Sequence, residues 1–264
     1  MIEGSYEERA KAIFGRRADL YTTSAAHTDR EVLARLVQLA APRADWRVLD
    51  VGTGTGHTAL AFAPHVREVL GVDLTEEMLR EAESLARERG VENVTFRSAD
   101  VHRLPRELDA SFDLVTCRRA AHHFSDIGRA LAEMTRTLRP GGLLLIDDRS
   151  VPEDDGIDEL MHRLDGLHDR SHVRQYRPAR WCAMLESAGF SVEVVEPYTR
   201  HRPVTSLTDR VAPEDVTRIH AILDGLSAEE RTKLNLETVD GELRSTHWYV
   251  IVAARAVNAI GRAG

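Results

Sequence analysis

The sequence predicts an α/β protein built on a doubly wound, mostly parallel sheet of seven strands. Three observations carry this prediction. Short apolar runs alternate with amphipathic helical segments from about residue 47 to 150. One run, Val48-Leu49-Asp50-Val51, enters a turn with glycines at Gly52, Gly54 and Gly56, followed by a helix-compatible segment. Another, Leu143-Leu144-Leu145-Ile146, is apolar without interruption, as in a strand buried on both faces.

An N-terminal helical arm (residues 1–45) comes first, with helical patterns over 6–20 and 29–40 separated by Tyr21-Thr22-Thr23-Ser24. Within the core (46–150), strands are expected at 47–51, 68–72, 94–96, 112–117 and 143–147. Thr75 suits an N-cap, Glu76 and Glu77 a first turn, and Met78, Leu79, Ala82, Leu85 and Ala86 share one helical face, which Gly90 ends. A second helix starts at Asp126, with Ile127, Ala130, Leu131, Met134 and Leu138 at helical spacing, and Pro140-Gly141-Gly142 stops it. The remainder (151–264) offers helices near 156–168 and 178–188 and a period-two strand from Val192 that exits near Pro197. Then come a polar helical insertion at about 203–240 and a closing strand from Trp248 to Ala254. Without repeats or a linker, the 264 residues read as one domain.

Hydrophobic content of 42% and charged content of 30% belong to a globular protein. No apolar run reaches the ~20 residues that span a bilayer, so no membrane association is expected. The first residues do not form a signal-peptide pattern, and two cysteines, Cys117 and Cys182, make no disulfide framework. A cytoplasmic monomer or homodimer is expected. The net charge of −8 disfavours nucleic acid as a partner. The basic residues, arginine except for Lys11 and Lys233, are scattered.

The glycine turn has a chemical reading. Alternate glycines let a ligand approach bare main chain, and the following helix points free N–H groups at it. Asp73 closes the next apolar run, where a carboxylate can take both hydroxyls of a ribose. A dinucleotide fingerprint places its third glycine three residues after the second. Here that position is His57, and the third glycine is Gly56.

With Asp50 two residues before the first glycine, Asp100, the segment Arg118-Arg119-Ala120-Ala121-His122-His123-Phe124 and Leu138-Arg139-Pro140-Gly141-Gly142, the chain resembles class I S-adenosylmethionine (SAM) methyltransferases over roughly residues 20–200. Within them it is similar to the small-molecule branch typified by the ubiquinone/menaquinone-biosynthesis C-methyltransferases. The resemblance implies a Rossmann-like fold, SAM as cofactor and a small-molecule acceptor at carbon, oxygen or nitrogen. It also implies that Gly52, Thr53, Gly54 and Gly56 approach the methionine part and that Asp50 orients the loop or the ammonium. Asp73 would hold the ribose, with Leu74 and Met78 against the adenine. Asp100 and the Val101 N–H would bind the adenine edge, and Arg118 would line the methionine end through its backbone. Tyr21 and Ser24 in the arm would close over the cofactor or touch the acceptor.

His122 and His123 follow the fourth strand at its carboxyl end, so one of them, His123 first, is a candidate general base; the alternative is packing within the loop. His168-Asp169-Arg170-Ser171-His172 imitates a zinc-binding helix but reads better as exposed polar helix surface. Asp147-Asp148 lies where some O-methyltransferases keep magnesium ligands, yet the fourth strand ends in Cys117-Arg118 rather than a carboxylate, so no metal is expected. The other functional readings are a SAM-binding cyclase or regulator and, further off, an RNA methyltransferase.

Overall fold

The computed structural model describes residues 28–257 together with Lys11, Phe14 and Gly15. One sheet contains β1 (Arg47–Val51), β2 (Glu68–Asp73), β3 (Val94–Ser98), β4 (Phe112–Arg118), β5 (Leu138–Ser150), β6 (Phe190–Pro203), β7 (Glu237–Val239) and β8 (Glu242–Ala256). The order is β3-β2-β1-β4-β5-β8-β6, with β7 paired to β8. Strands β1 to β5 are parallel, and β8 runs antiparallel to β5 and β6. The winding reverses between β1 and β4, which opens a crevice at their carboxyl ends where open α/β sheets bind ligands.

Helices α1 (Arg30–Ala40), α2 (His57–Phe62), α3 (Glu76–Glu88), α4 (Ile127–Thr137), α5 (Asp155–His168), α6 (Pro178–Ser187), α7 (Pro213–Asp224) and α8 (Ala228–Lys233) accompany the sheet, with short 3-10 turns between them. Alternation along the strands divides the core between the two faces of the sheet. Val48, Leu114, Leu143 and Leu145 pack with Leu36 of α1 and Phe62 of α2. Leu49, Val115, Leu144 and Ile146 pack with Leu131 and Met134 of α4 and Trp181 of α6. Burial on both faces explains why the β5 run is continuously apolar.

Several boundaries differ from the sequence expectation; β8, for one, starts at Glu242 rather than Trp248. Leu138 leaves the helix, because after Thr137 the chain turns extended (φ −74°, ψ 142°) and Leu138 pairs with Phe112 of β4. β6 continues through Pro197 to Pro203; β8 is its one neighbour in the strand order, so the missing proline N–H breaks no inner ladder. Residues 237–239, expected in the helical insertion, form a hairpin with β8 instead. Its two-residue turn, Asp240-Gly241, has φ of +52° and +80°, the left-handed pair that such a hairpin demands.

The insertion is less polar than its composition suggests. Ile219 and Leu223 of α7, with Val204, Leu207 and Leu234, bury against Ile157, Leu160, Met161 and Leu164 of α5. This third cluster sits beyond the carboxyl end of β5 and carries α5 and the chain after it toward the crevice. Thr75 occupies the N-cap of α3 without a side-chain cap, whereas Asp126 caps α4 through the Arg129 N–H. No helix among the described residues is long and apolar enough to cross a membrane.

Candidate active site

The three glycines of the β1–α2 turn all have positive φ, +64°, +52° and +82°, but meet different demands. A Cβ on Gly52 would lie 2.5 Å from that of Ala120, so this glycine lets the turn pack against the segment after β4. A Cβ on Gly56 would meet the Phe96 ring at 2.9 Å and Ala82 at 3.1 Å, so Gly56 serves packing beneath α2. Only at Gly54 is the space open, and Gly54 lines a cavity of about 570 Å³ in the crevice. Bare main chain facing a cavity of ligand size is what a closely approaching cofactor requires.

The cavity gathers most of the expected cofactor residues. Gly52, Thr53, Gly54 and Arg118 stand on one part of its wall; Asp73, Leu74 and Met78, and Asp100 with Val101, stand on others. Asp73 accepts the Gly54 and Thr75 N–H groups, each at 2.9 Å, and so ties the glycine turn to the end of β2. Burial raises its pKa while these hydrogen bonds oppose the rise. Asp100 accepts the His102 N–H at 2.9 Å. Arg118 donates through Nε to Thr58 Oγ1 at 2.9 Å.

Two expected residues lie off the wall. Gly56 faces Phe96, as described, and Asp50 is buried beneath the turn, 1% exposed. The Asp50 carboxylate accepts the hydroxyls of Thr53 and Thr116, each at 2.6 Å, and so braces the turn from below. Tyr21 and Ser24 lie outside the described residues.

The same cavity extends to His122 and His123. His122 is 7% exposed, and its Nδ1 lies 2.5 Å from Asp148 Oδ1. Asp148 also accepts the backbone N–H groups of His122 and Arg149, each at 2.8 Å. Burial pushes Asp148 up to about 6 and drives His122 well below the ordinary imidazole range. At neutral pH the pair is therefore a carboxylate holding a neutral imidazole, its Nδ1–H on the aspartate. Nε2 is then the lone-pair nitrogen. His123 packs against His122 at a tilt of 44° with ring centroids 3.9 Å apart, but its Nδ1 is engaged by the Ser171 carbonyl at 3.0 Å. Of the two candidate histidines, the carboxylate-supported imidazole is His122.

Asp147 is bonded to Arg119 Nε at 3.1 Å and to the Tyr198 hydroxyl at 2.7 Å. Arg119 lies 3.7 Å from the centroid of the Tyr249 ring. Among the described residues, no group of three His, Cys, Asp or Glu side chains is arranged to hold a metal. His168 is the last residue of α5 and His172 lies in the following loop, so the zinc-like spacing is not helical. Nor is that segment exposed helix surface: His168, Asp169 and His172 line the cavity. Burial, aided by neighbouring imidazoles and Arg149, holds His172 down to about 2.

Sequence reasoning missed Arg149, Arg202 and Tyr249, which also line the cavity. Their strands run antiparallel or reach past the parallel core, so no motif spacing marks them. The sequence presents Asp148 only beside Asp147 as a metal-ligand pattern; its place at a strand end, near the His122 segment, is the available signal.

Residues 48–142 match the family described as methyltransferase domain. The chain is 45% identical over 174 residues to the uncharacterized methyltransferase YcgJ of Bacillus subtilis, covering 66% of this chain and 68% of that protein. It therefore belongs to the class I SAM-dependent methyltransferases, and SAM is its cofactor. The crystal structure of Bacillus subtilis YcgJ superimposes with a TM-score of 0.81 at 35% identity, covering 87% of this chain and 99% of that one. A malonyl-[acyl-carrier protein] O-methyltransferase of Yersinia pestis is 30% identical over 217 residues, covering 82% of this chain and 73% of the relative.

Proposed function

We propose that this methyltransferase acts on a small-molecule acceptor and that His122, held by Asp148, removes the acceptor's proton. One observation carries the reading: the glycine turn and His122, whose Nδ1 rests on the buried Asp148, line the same cavity of about 570 Å³. Such a volume suits a cofactor and a small partner, with little room for a polymer.

Gly54 and Arg118 would flank the methionine part of SAM, Asp73 the ribose, and Asp100 with Val101 the adenine edge. When bound, SAM supplies an electrophilic methyl group on a sulfonium. The protein's main contribution is to hold the acceptor in line and dry, which accounts for up to roughly 7–11 kcal/mol in well-oriented reactions. His122 accepts the acceptor proton at Nε2 as the nucleophile forms. Asp148 keeps the tautomer with Nδ1–H toward itself and stabilises the imidazolium that results. His123 walls the pocket, turned toward Ser171.

Incubating the protein with methyl-labelled SAM and a metabolite extract, with mass spectrometry of the products, tests the transfer. His122→Gln lowers turnover roughly 10²–10⁴-fold, the usual worth of general-base help, and leaves S-adenosylhomocysteine affinity unchanged by calorimetry. Wild-type turnover in the variant, or a parallel loss of cofactor affinity, overturns the assigned role.

A further inference from the structure

The acceptor end of the cavity carries cations that the proposed chemistry does not use. We infer that the acceptor bears an oxyanionic group, a carboxylate or a phosphate, bound by Arg202 and Arg149 beside the ring of Tyr249. The inference rests on the reading of this cavity as the acceptor site.

Arg202 is the central observation. It lines the cavity from the far end of β6 and is only half-buried. Among the described residues its guanidinium has no carboxylate partner and lies 5.8 Å from the centroid of the Tyr249 ring. The register sets this corner: Arg149 of β5 and Tyr198 of β6 both pair with Tyr249 of β8, and Arg202 follows Tyr198 by four residues, on the same face of β6. Arg149 donates to Asp165 across the cavity wall.

Most acidic side chains around Arg202 have partners of their own. Asp147 is matched by Arg119, and Asp165 by Arg149. Asp169 is held by the backbone and hydroxyl of Ser171. Asp148 is taken up by His122 and the Arg149 backbone, and Asp209 and Arg210 both line the same wall. Three imidazoles nearby, His168, His172 and His247, are held below their ordinary range by burial, with Arg149 repelling a proton from each and Arg202 also acting on His247. They add no positive charge of their own. A guanidinium in a partly desolvated corner gains most from a ligand oxyanion, whose two oxygens match its planar fork.

The test fractionates a metabolite extract on anion-exchange resin before incubation with methyl-labelled SAM and the full-length protein. The labelled acceptor is expected in the retained, acidic fraction. Labelling that survives phosphatase treatment of that fraction assigns a carboxylate, and labelling that is lost assigns a phosphate; either supports the inference. In the same reaction Arg202→Gln raises the acceptor KM roughly 10- to 100-fold, as expected for loss of a charge-assisted hydrogen bond, with S-adenosylhomocysteine affinity unchanged. Arg202→Lys recovers part of the loss. An acceptor in the unretained fraction, or Arg202→Gln with wild-type KM, overturns the inference while leaving the methyl-transfer reading in place. Labelling in no fraction overturns the methyl-transfer reading itself. Titration of the S-adenosylhomocysteine complex with benzoate, phenyl phosphate and benzyl alcohol then decides the anion site: it stands if either anion binds in an Arg202-dependent way and the alcohol does not, and falls otherwise.

Discussion

Asp148→Asn separates the orientation and charge of His122 from its mere presence. The carboxylate accepts three N–H groups: His122 Nδ1 and the Arg149 backbone on one oxygen, and the His122 backbone on the other. An asparagine has one acceptor oxygen, so one orientation leaves the His122 backbone N–H facing an NH2 group. The other leaves the Arg149 N–H unpaired and presents the NH2 to Nδ1, which moves the imidazole proton to Nε2 and disables the base. Either orientation strands one buried N–H, which costs about 1–3 kcal/mol of stability. Either also removes the negative charge that stabilises the imidazolium. Turnover is expected to fall roughly 10²-fold from weakened base catalysis and up to about 10⁴-fold if the tautomer is lost. Steady-state kinetics with the identified acceptor, calorimetry with S-adenosylhomocysteine and thermal unfolding measure the three effects separately. Adding His122→Gln to Asp148→Asn is expected to lower the rate little further, because two groups acting as a unit are not additive. The reasoning is refuted if Asp148→Asn turns over within a few-fold of wild type, or if the two substitutions lower the rate independently.

Other consequences follow from the geometry around the pair. Gly54→Ala places a Cβ in the cavity at φ +52°, so calorimetry should show weakened S-adenosylhomocysteine binding beyond the ~1–2 kcal/mol backbone strain seen in unfolding. Gly56→Ala, whose Cβ would meet Phe96 at 2.9 Å, should act mainly on stability, with a larger fall in Tm than Gly54→Ala. Asp73→Ala should weaken S-adenosylhomocysteine binding by roughly 1.5–3 kcal/mol, the worth of a hydrogen bond to a charged acceptor, and calorimetry should find no comparable affinity for NAD. His172 has its pKa lowered to about 2 on folding, so the unfolded chain takes up a proton near the ordinary imidazole value before the folded one does. Its neutral burial supports folding above about pH 6.5 and is undermined as pH falls below that value. Wild-type Tm should therefore drop relative to that of His172→Gln between pH 7.5 and 5; an unchanged difference would show that His172 does not titrate between the two states.

Local chemistry in the sequence determined the parallel core, the glycine turn and the strand-end carboxylates. Alternation and turn glycines act over a few residues, and strands wound in sequence order deliver their carboxyl ends to one crevice, so Asp73, Asp100 and His122 could be placed there before any fold was known. What those residues do was decided by contacts the spacing does not encode. Gly52, Gly54 and Gly56 look alike in sequence, yet Ala120, open cavity and Phe96 give each a separate role. His122 and His123 are neighbours, but Asp148, 26 positions after His122, reaches His122, while the Ser171 carbonyl, 48 positions after His123, reaches His123. The apolar packing of α5 on α7 turns a stretch that reads as polar surface into the wall carrying His168 and His172. The antiparallel pairing of β8 with β5 and β6 sets Arg149, Tyr249 and Arg202 around one corner. Register between distant strands is settled by which side chains the whole sheet can bury at once, so this end of the cavity exists only in the folded chain.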